Sequence, residues 1–221
     1  MSKPRKPSLA RRAQALATLE KLEEVHATAE IALNFANPLE LLVATILSAQ
    51  CTDVRVNLVT EKLFERYRTA KDYATADLDE LMEIIRSTGF YRNKARNIIA
   101  AARQIVEKHD GEVPPTMVEL NALAGVGRKT ANVVLGNAFD TPGMVVDTHV
   151  GRVSRRLGWT KESDPVKIEY ELMKLLPKEK WTQTSHVLIF HGRSWCKARV
   201  PQCSDCPVLE ECPRKGVTKS R

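Results

Sequence analysis

The sequence predicts an all-α protein, and three observations carry that prediction. Apolar residues recur at spacings of three and four along nearly the whole chain, the period of a helix face laid on a core. Helix start signals precede these stretches repeatedly: Asn37-Pro38 with Glu40, Asp77 with Glu80, Thr116 with Glu119, and Asp164-Pro165. No long run alternates apolar and polar residues, so nothing in the pattern calls for a sheet.

Taken in order, Leu9, Leu16, Leu19, Leu22 and Val25 mark a first helix, and Leu39 to Leu47 a second that Asn37 begins. Leu58, Leu63 and Phe64 mark a third, then Leu78, Leu81, Ile84 and Ile85, then Ile98, Ile99, Ile105 and Val106. Leu120 and Leu123 suit a short helix, and Val133, Val134 and Leu135 a longer one. Val145-Val146 reads as a brief extended piece before a helix holding Val150, Val153 and Leu157. Leu172, Leu175 and Leu176, and then Val187 to Phe190, supply two more. Breaks fall at Asp110-Gly111 with Pro114-Pro115, and at Pro142-Gly143, where the chain suits a domain crossing.

With 221 residues, 43% apolar and 28% charged, the chain can bury a full core and is not of disordered composition. Its longest apolar run, Leu41 to Leu47, is far too short to cross a bilayer, and the basic N-terminus lacks the apolar segment of a signal peptide. An intracellular protein is expected. The net charge of +7 is concentrated in the ends: Lys3, Arg5, Lys6, Arg11 and Arg12 at the head, Arg214, Lys215, Lys219 and Arg221 at the tail. Between them 25 bases meet 27 acids, so local clusters say more than the total. Arg86 to His109 carries Arg86, Arg92, Lys94, Arg96, Arg103 and Lys108 against Glu107 alone, and Arg193, Lys197 and Arg199 face no acid within Val187 to Gln202. Each cluster reads equally as a nucleic-acid surface or as a solvated helix face.

Two motifs carry chemistry. In Leu123 to Asn132, Gly125 and Gly127 flank Val126 and make a tight turn immediately before a helix that opens with Arg128, Lys129 and Thr130. Helix N-termini attract phosphate through open N–H groups and the helix dipole, so this helix-hairpin-helix unit reads as a grip on a nucleic-acid backbone. The second motif gathers Cys196, Cys203, Cys206 and Cys212 within 17 residues, separated by six, two and five residues. In an intracellular chain such a cluster is a metal site rather than a disulfide set. Four thiolates suit a tetrahedral zinc or a [4Fe-4S] cluster, and spacing leaves both open. Lys197 and Arg199, in the loop the cysteines would hold, are within reach of DNA on this reading. Cys51, far from the others in an apolar helical region, is expected to be a buried free thiol.

The hairpin, the Val146-Asp147-Thr148-His149 segment and the spaced cysteines together resemble the endonuclease III family of helix-hairpin-helix DNA glycosylases, over essentially Leu9 to Pro213. The resemblance implies a two-domain α-helical fold with double-stranded DNA in the cleft between domains. Residues 31–141 would form a six-helix domain holding the hairpin, and residues 1–30 with 142–221 a domain around a C-terminal [4Fe-4S] cluster loop. It implies a bifunctional enzyme that excises oxidised pyrimidines and cleaves abasic sites, a monomer in the cytoplasm, associated with the bacterial nucleoid while on DNA. Lys129 is then the nucleophile and Asp147 its carboxylate partner, with Gly125, Val126, Gly127, Arg128 and Thr130 on the DNA backbone. Gln50 matches the family's polar filler of the gap left by a flipped base. Phe90 stands at its apolar wedge, commonly Leu, and Ala124 where Pro is usual. The four cysteines would hold the cluster. His149 reads as structural, and no motif recruits His26, His109, His186 or His191.

The chemistry has one point of friction. An ordinary lysine, with a reference pKa near 10.4, must lose a proton before it can attack, at a cost of about 4 kcal/mol at pH 7.5. A neighbouring guanidinium such as that of Arg128 helps, whereas a carboxylate favours the ammonium. Asp147 is therefore assigned to stabilising the cationic sugar or moving protons through water. Its plain alternative is a helix N-cap ahead of Val150. Two rival functions stay open: a monofunctional adenine glycosylase, which would lack the lysine and carry an extra recognition domain, and a non-enzymatic DNA-binding module, which would need no Asp147.

Overall fold

The computed structural model describes residues 7–221, so Lys3, Arg5 and Lys6 of the basic head lie outside the described residues. Eleven α-helices occur among the described residues, with no β-strand. They are α1 Leu9–Val25, α2 Pro38–Leu47, α3 Asp53–Arg66, α4 Ala70–Ala74, α5 Leu78–Ile85, α6 Tyr91–Lys108, α7 Met117–Ala122, α8 Arg128–Ala138, α9 Thr148–Arg156, α10 Pro165–Leu175 and α11 Trp181–Ser194. The anticipated caps form: Asn37 accepts from the Glu40 N–H at 3.0 Å, Asp77 from Glu80 at 2.8 Å, Thr116 from Glu119 at 3.3 Å and Asp164 from Lys167 at 2.9 Å. Val145-Val146 lies in irregular chain ahead of α9, with no strand pairing.

The chain divides into two compact units, one of Ala32–Thr141 and one of the residues up to Ile31 with Pro142–Arg221. The first is built on α2, whose residues Leu41 to Leu47 are all buried. A helix apolar on every side must sit inside its neighbours, and α3, α6 and α8 pack around it. The long α6 receives α4 and α5 as well, and α7 packs on α8 to complete the hairpin. The second unit closes α1, α9, α10 and α11 on a core that includes Leu19, Leu22, Val150, Val153, Leu172 and Leu188.

Two expectations need correction, and one helix was not anticipated. The helix α4 has no apolar periodicity long enough to reveal it; its signal is the capping box of Thr69 and Asp72, each side chain bonded to the other's backbone N–H. Cys51 is half-buried in the turn after α2 and is not within a helix. Lys94 leaves the basic surface cluster altogether, being buried on α6 in register with Ile98, Ala101 and Ile105. Arg86, Arg92, Arg96, Arg103 and Lys108 stay exposed.

Candidate active site

The hairpin is held from both sides. After α7, the Val126 N–H returns to the Leu123 carbonyl at 3.2 Å, and Gly125 takes a φ of +73°. A side chain there would be strained by the backbone, and its Cβ would lie 2.7 Å from the Asn97 Cβ. Gly125→Ala should therefore lower thermal stability by about 1–3 kcal/mol and weaken binding to duplex DNA by roughly tenfold. A melt and a titration on the same preparation check both.

Gln104 on α6, which sequence reading missed, clamps the turn through its amide. Its Oε1 accepts from the Ala124 N–H at 2.7 Å, and its Nε2 donates to the Ala122 carbonyl at 3.2 Å. A proline at position 124 could not make the first bond, having no N–H. The stiffness lost with proline is thus supplied by a hydrogen bond.

Gly127 then caps α8 without offering a side-chain oxygen to the first-turn N–H groups. Val126 is buried, Arg128 and Thr130 are half-buried, and Lys129 is exposed at the second position of α8. A ligand phosphate at this helix end would meet backbone donors and the positive end of the dipole.

Gln50 and Phe90 belong to the same unit. Gln50 lies three residues beyond α2, exposed, with φ 54°, so it continues no helix. Phe90 precedes α6 with φ 49° and is 62% exposed. Two bulky residues held in the left-handed region on exposed turns are unusual outside functional sites.

Asp147 belongs to the other unit. It is half-buried and caps α9, its Oδ1 accepting from the Val150 N–H at 2.8 Å. The N-cap role is therefore real, and it occupies one carboxylate oxygen. His149 faces Arg152, with Nδ1 and Nη2 3.1 Å apart, in keeping with a structural role.

The same unit gathers the four clustered cysteines around one pocket, walled by Val153, Leu157, Trp195, Val208 and Leu209. Burial pushes the Cys206 thiol up to about 11 and raises Cys212 as well, so the thiolate forms need a compensating cation. Among the described residues no three His, Cys, Asp or Glu side chains are grouped so as to hold a single metal ion. The loop between Cys196 and Cys203 hangs on two arginines of α9. Arg156 donates to the carbonyls of Lys197 at 2.7 Å and Ala198 at 2.8 Å, and approaches the Cys196 Sγ at 3.3 Å. Arg152 donates to the carbonyls of Gly192 at 2.9 Å and Cys196 at 3.0 Å. Lys197 and Arg199 remain exposed on that loop. Beneath it, burial pushes His191 down to about 4; its Nε2 lies 3.7 Å from the Cys206 Sγ and its Nδ1 3.4 Å from His26 Nε2.

Residues 43–178 match the model of the HhH-GPD superfamily of base excision DNA repair proteins. An endonuclease III of Synechocystis sp. is 54% identical over 87% of this chain and 88% of its own length. One of Bacillus subtilis is 49% identical over 92% of this chain and 93% of its own. The solved structure of a non-covalent endonuclease III–DNA complex matches with a TM-score of 0.87 at 49% identity, covering 92% of this chain and 95% of that one.

Proposed function

The chain belongs to the endonuclease III family within the HhH-GPD superfamily of base excision repair proteins, and we propose how its residues divide the work. It is a base-excision-repair DNA glycosylase with abasic-site lyase activity, acting on DNA. Lys129 is its nucleophile, Asp147 the carboxylate partner, and oxidised pyrimidines its substrates. The observation that carries this reading is Lys129 itself, exposed at the second position of a helix whose N-terminus is shaped to receive phosphate. The backbone of Gly125, Val126 and Gly127, with Arg128 and Thr130, grips the strand, and that grip delivers the lysine to the sugar.

The unprotonated Lys129 amine attacks C1′ of the flipped nucleotide; the N–C1′ bond forms as the bond from C1′ to the base breaks, and the base leaves with a proton. Opening of the sugar ring gives an iminium. Loss of a 2′ proton then breaks the C3′–O3′ bond and nicks the strand. Asp147 keeps Oδ1 on its helix cap, which leaves Oδ2 to face positive charge developing on the sugar or to relay protons. Gln50 fills the gap in the duplex, and Phe90 wedges beside it, stacking where an aliphatic wedge would only occupy space.

Cys196, Cys203, Cys206 and Cys212 would hold a [4Fe-4S] cluster. All four thiols line one pocket, and four cysteine thiolates are the ligand set that such a cluster takes. Bound there, it would add rigidity to the loop that presents Lys197 and Arg199, which Arg152 and Arg156 already hold through its carbonyls. Residues 31–141 act as the hairpin domain, and 1–30 with 142–221 as the cluster domain, in a monomer working in the cytoplasm. Among the described residues no helix is long and apolar enough to cross a membrane.

Duplexes with defined lesions test the assignment. The wild type should excise thymine glycol and leave adenine opposite 8-oxoguanine intact; the reverse preference would contradict the pyrimidine reading. Asp147→Asn separates the two roles of that side chain, because asparagine caps a helix as well as aspartate does. Its melting temperature should stay within about 2 °C, while excision falls on the order of 10²-fold. Unchanged excision would reduce Asp147 to its cap.

A further inference from the structure

Lys94 is only 5% exposed, and its ammonium is bonded to two backbone carbonyls, not to a carboxylate. Nζ donates to the Leu47 carbonyl and to the Thr88 carbonyl, each at 2.8 Å. Leu47 is the last residue of α2, and Thr88 the last of a short 3₁₀ turn, Arg86–Thr88. One charge therefore sits on two helical C-termini, where the dipole and the unpaired carbonyls favour a cation. No basic residue occupies the last turn of α2, so Lys94 serves that end from 47 residues away. Burial lowers the basicity of the amine, and the two charge-assisted bonds are its compensation.

Each anchored carbonyl lies just before a residue of the candidate DNA-binding set. Three residues beyond Leu47 stands Gln50, and two beyond Thr88 stands Phe90, both exposed and both with positive φ. The left-handed conformation is disfavoured for such side chains and persists only where the surroundings fix it. The two segments are far apart in sequence, and Lys94 bonds directly to both.

We propose that Lys94 is a positioning residue that fastens the Gln50 and Phe90 segments to each other, so that gap filler and wedge enter the duplex as one unit. This rests on the reading of Gln50 and Phe90 given above. A purely structural lysine would affect folding and every activity alike. A positioning lysine affects the steps that need a base replaced within the stack, and above all discrimination of the opposite base.

The experiment uses the full chain carrying Lys94→Met, Gln50→Ala, Phe90→Ala, the last two combined, and all three. Single-turnover excision of thymine glycol is measured opposite each of the four bases, alongside cleavage of an abasic site in single-stranded DNA, which needs neither filler nor wedge. Lys94→Met should lower duplex excision at least tenfold and flatten the opposite-base preference, with single-strand cleavage changed less than twofold. Added to the Gln50→Ala/Phe90→Ala pair it should change duplex excision less than twofold, because the elements it positions are already gone. Equal loss on both substrates, or unchanged duplex excision and preference, overturns the proposal. If Gln50→Ala and Phe90→Ala are themselves silent, the reading of those two residues falls and this proposal with it. If they matter and Lys94→Met does not, only the Lys94 assignment falls. Should Lys94→Met fail to melt cooperatively, Lys94→Gln, which keeps an N–H donor and loses the charge, is judged by the same criteria.

Discussion

Lys129→Ala is expected to abolish borohydride trapping on abasic-site DNA and to reduce strand nicking on the order of 10³-fold or more, because no other amine is held at the same place by the hairpin. The fold should be untouched. Lys129 is exposed on the first turn of α8, and alanine is the best helix former available to replace it. Binding to abasic-site DNA should weaken far less than chemistry, since the backbone around Gly125 and Gly127 is unchanged. Trapping, nicking and affinity measured on one preparation separate these effects. A variant that still traps and nicks at the wild-type rate would remove Lys129 from the mechanism.

On stability, the greatest loss should come from Cys206→Ala. Cys196, Cys206 and Cys212 pack against the core of their unit, so whatever the thiols hold is continuous with that core. The wild type should be brown and carry iron; the variant should lose the visible absorbance and melt about 10 °C lower or more, because ligand binding free energy is folding free energy at such a site. Metal analysis and melting of the two proteins provide the check. A colourless wild type loaded with stoichiometric zinc would contradict the cluster.

The parts of the molecule that were legible in the sequence are those whose cause is local. Asn37, Asp77, Thr116 and Asp164 cap helices that start within three residues of them, so each signal lies beside its effect. The hairpin likewise is specified within ten residues, through two glycines and the helix after them. Lys94 and Gln104 were not legible, because each acts on backbone carbonyls or N–H groups 18 or more residues away, except for the nearer Lys94 contact with Thr88. The one sequence signal for Lys94 is a basic residue in step with Ile98, Ala101 and Ile105. Asp147 shows the opposite case. Its residue type and position suit both a helix cap and a catalytic carboxylate; the cap occupies Oδ1, and the proposed catalytic role falls to Oδ2. For Ala124 the sequence showed the loss of a proline, but only the fold shows Gln104 standing in for it.

The mechanism requires that one amine, placed by the hairpin, form the covalent bond to DNA. Borohydride trapping of the wild type on an abasic-site oligonucleotide, with proteolysis and mass mapping of the linked peptide, identifies that amine. A single adduct, on Lys129, is expected. An adduct on any other lysine or on the N-terminal amine, with Lys129 unmodified, would contradict the mechanism.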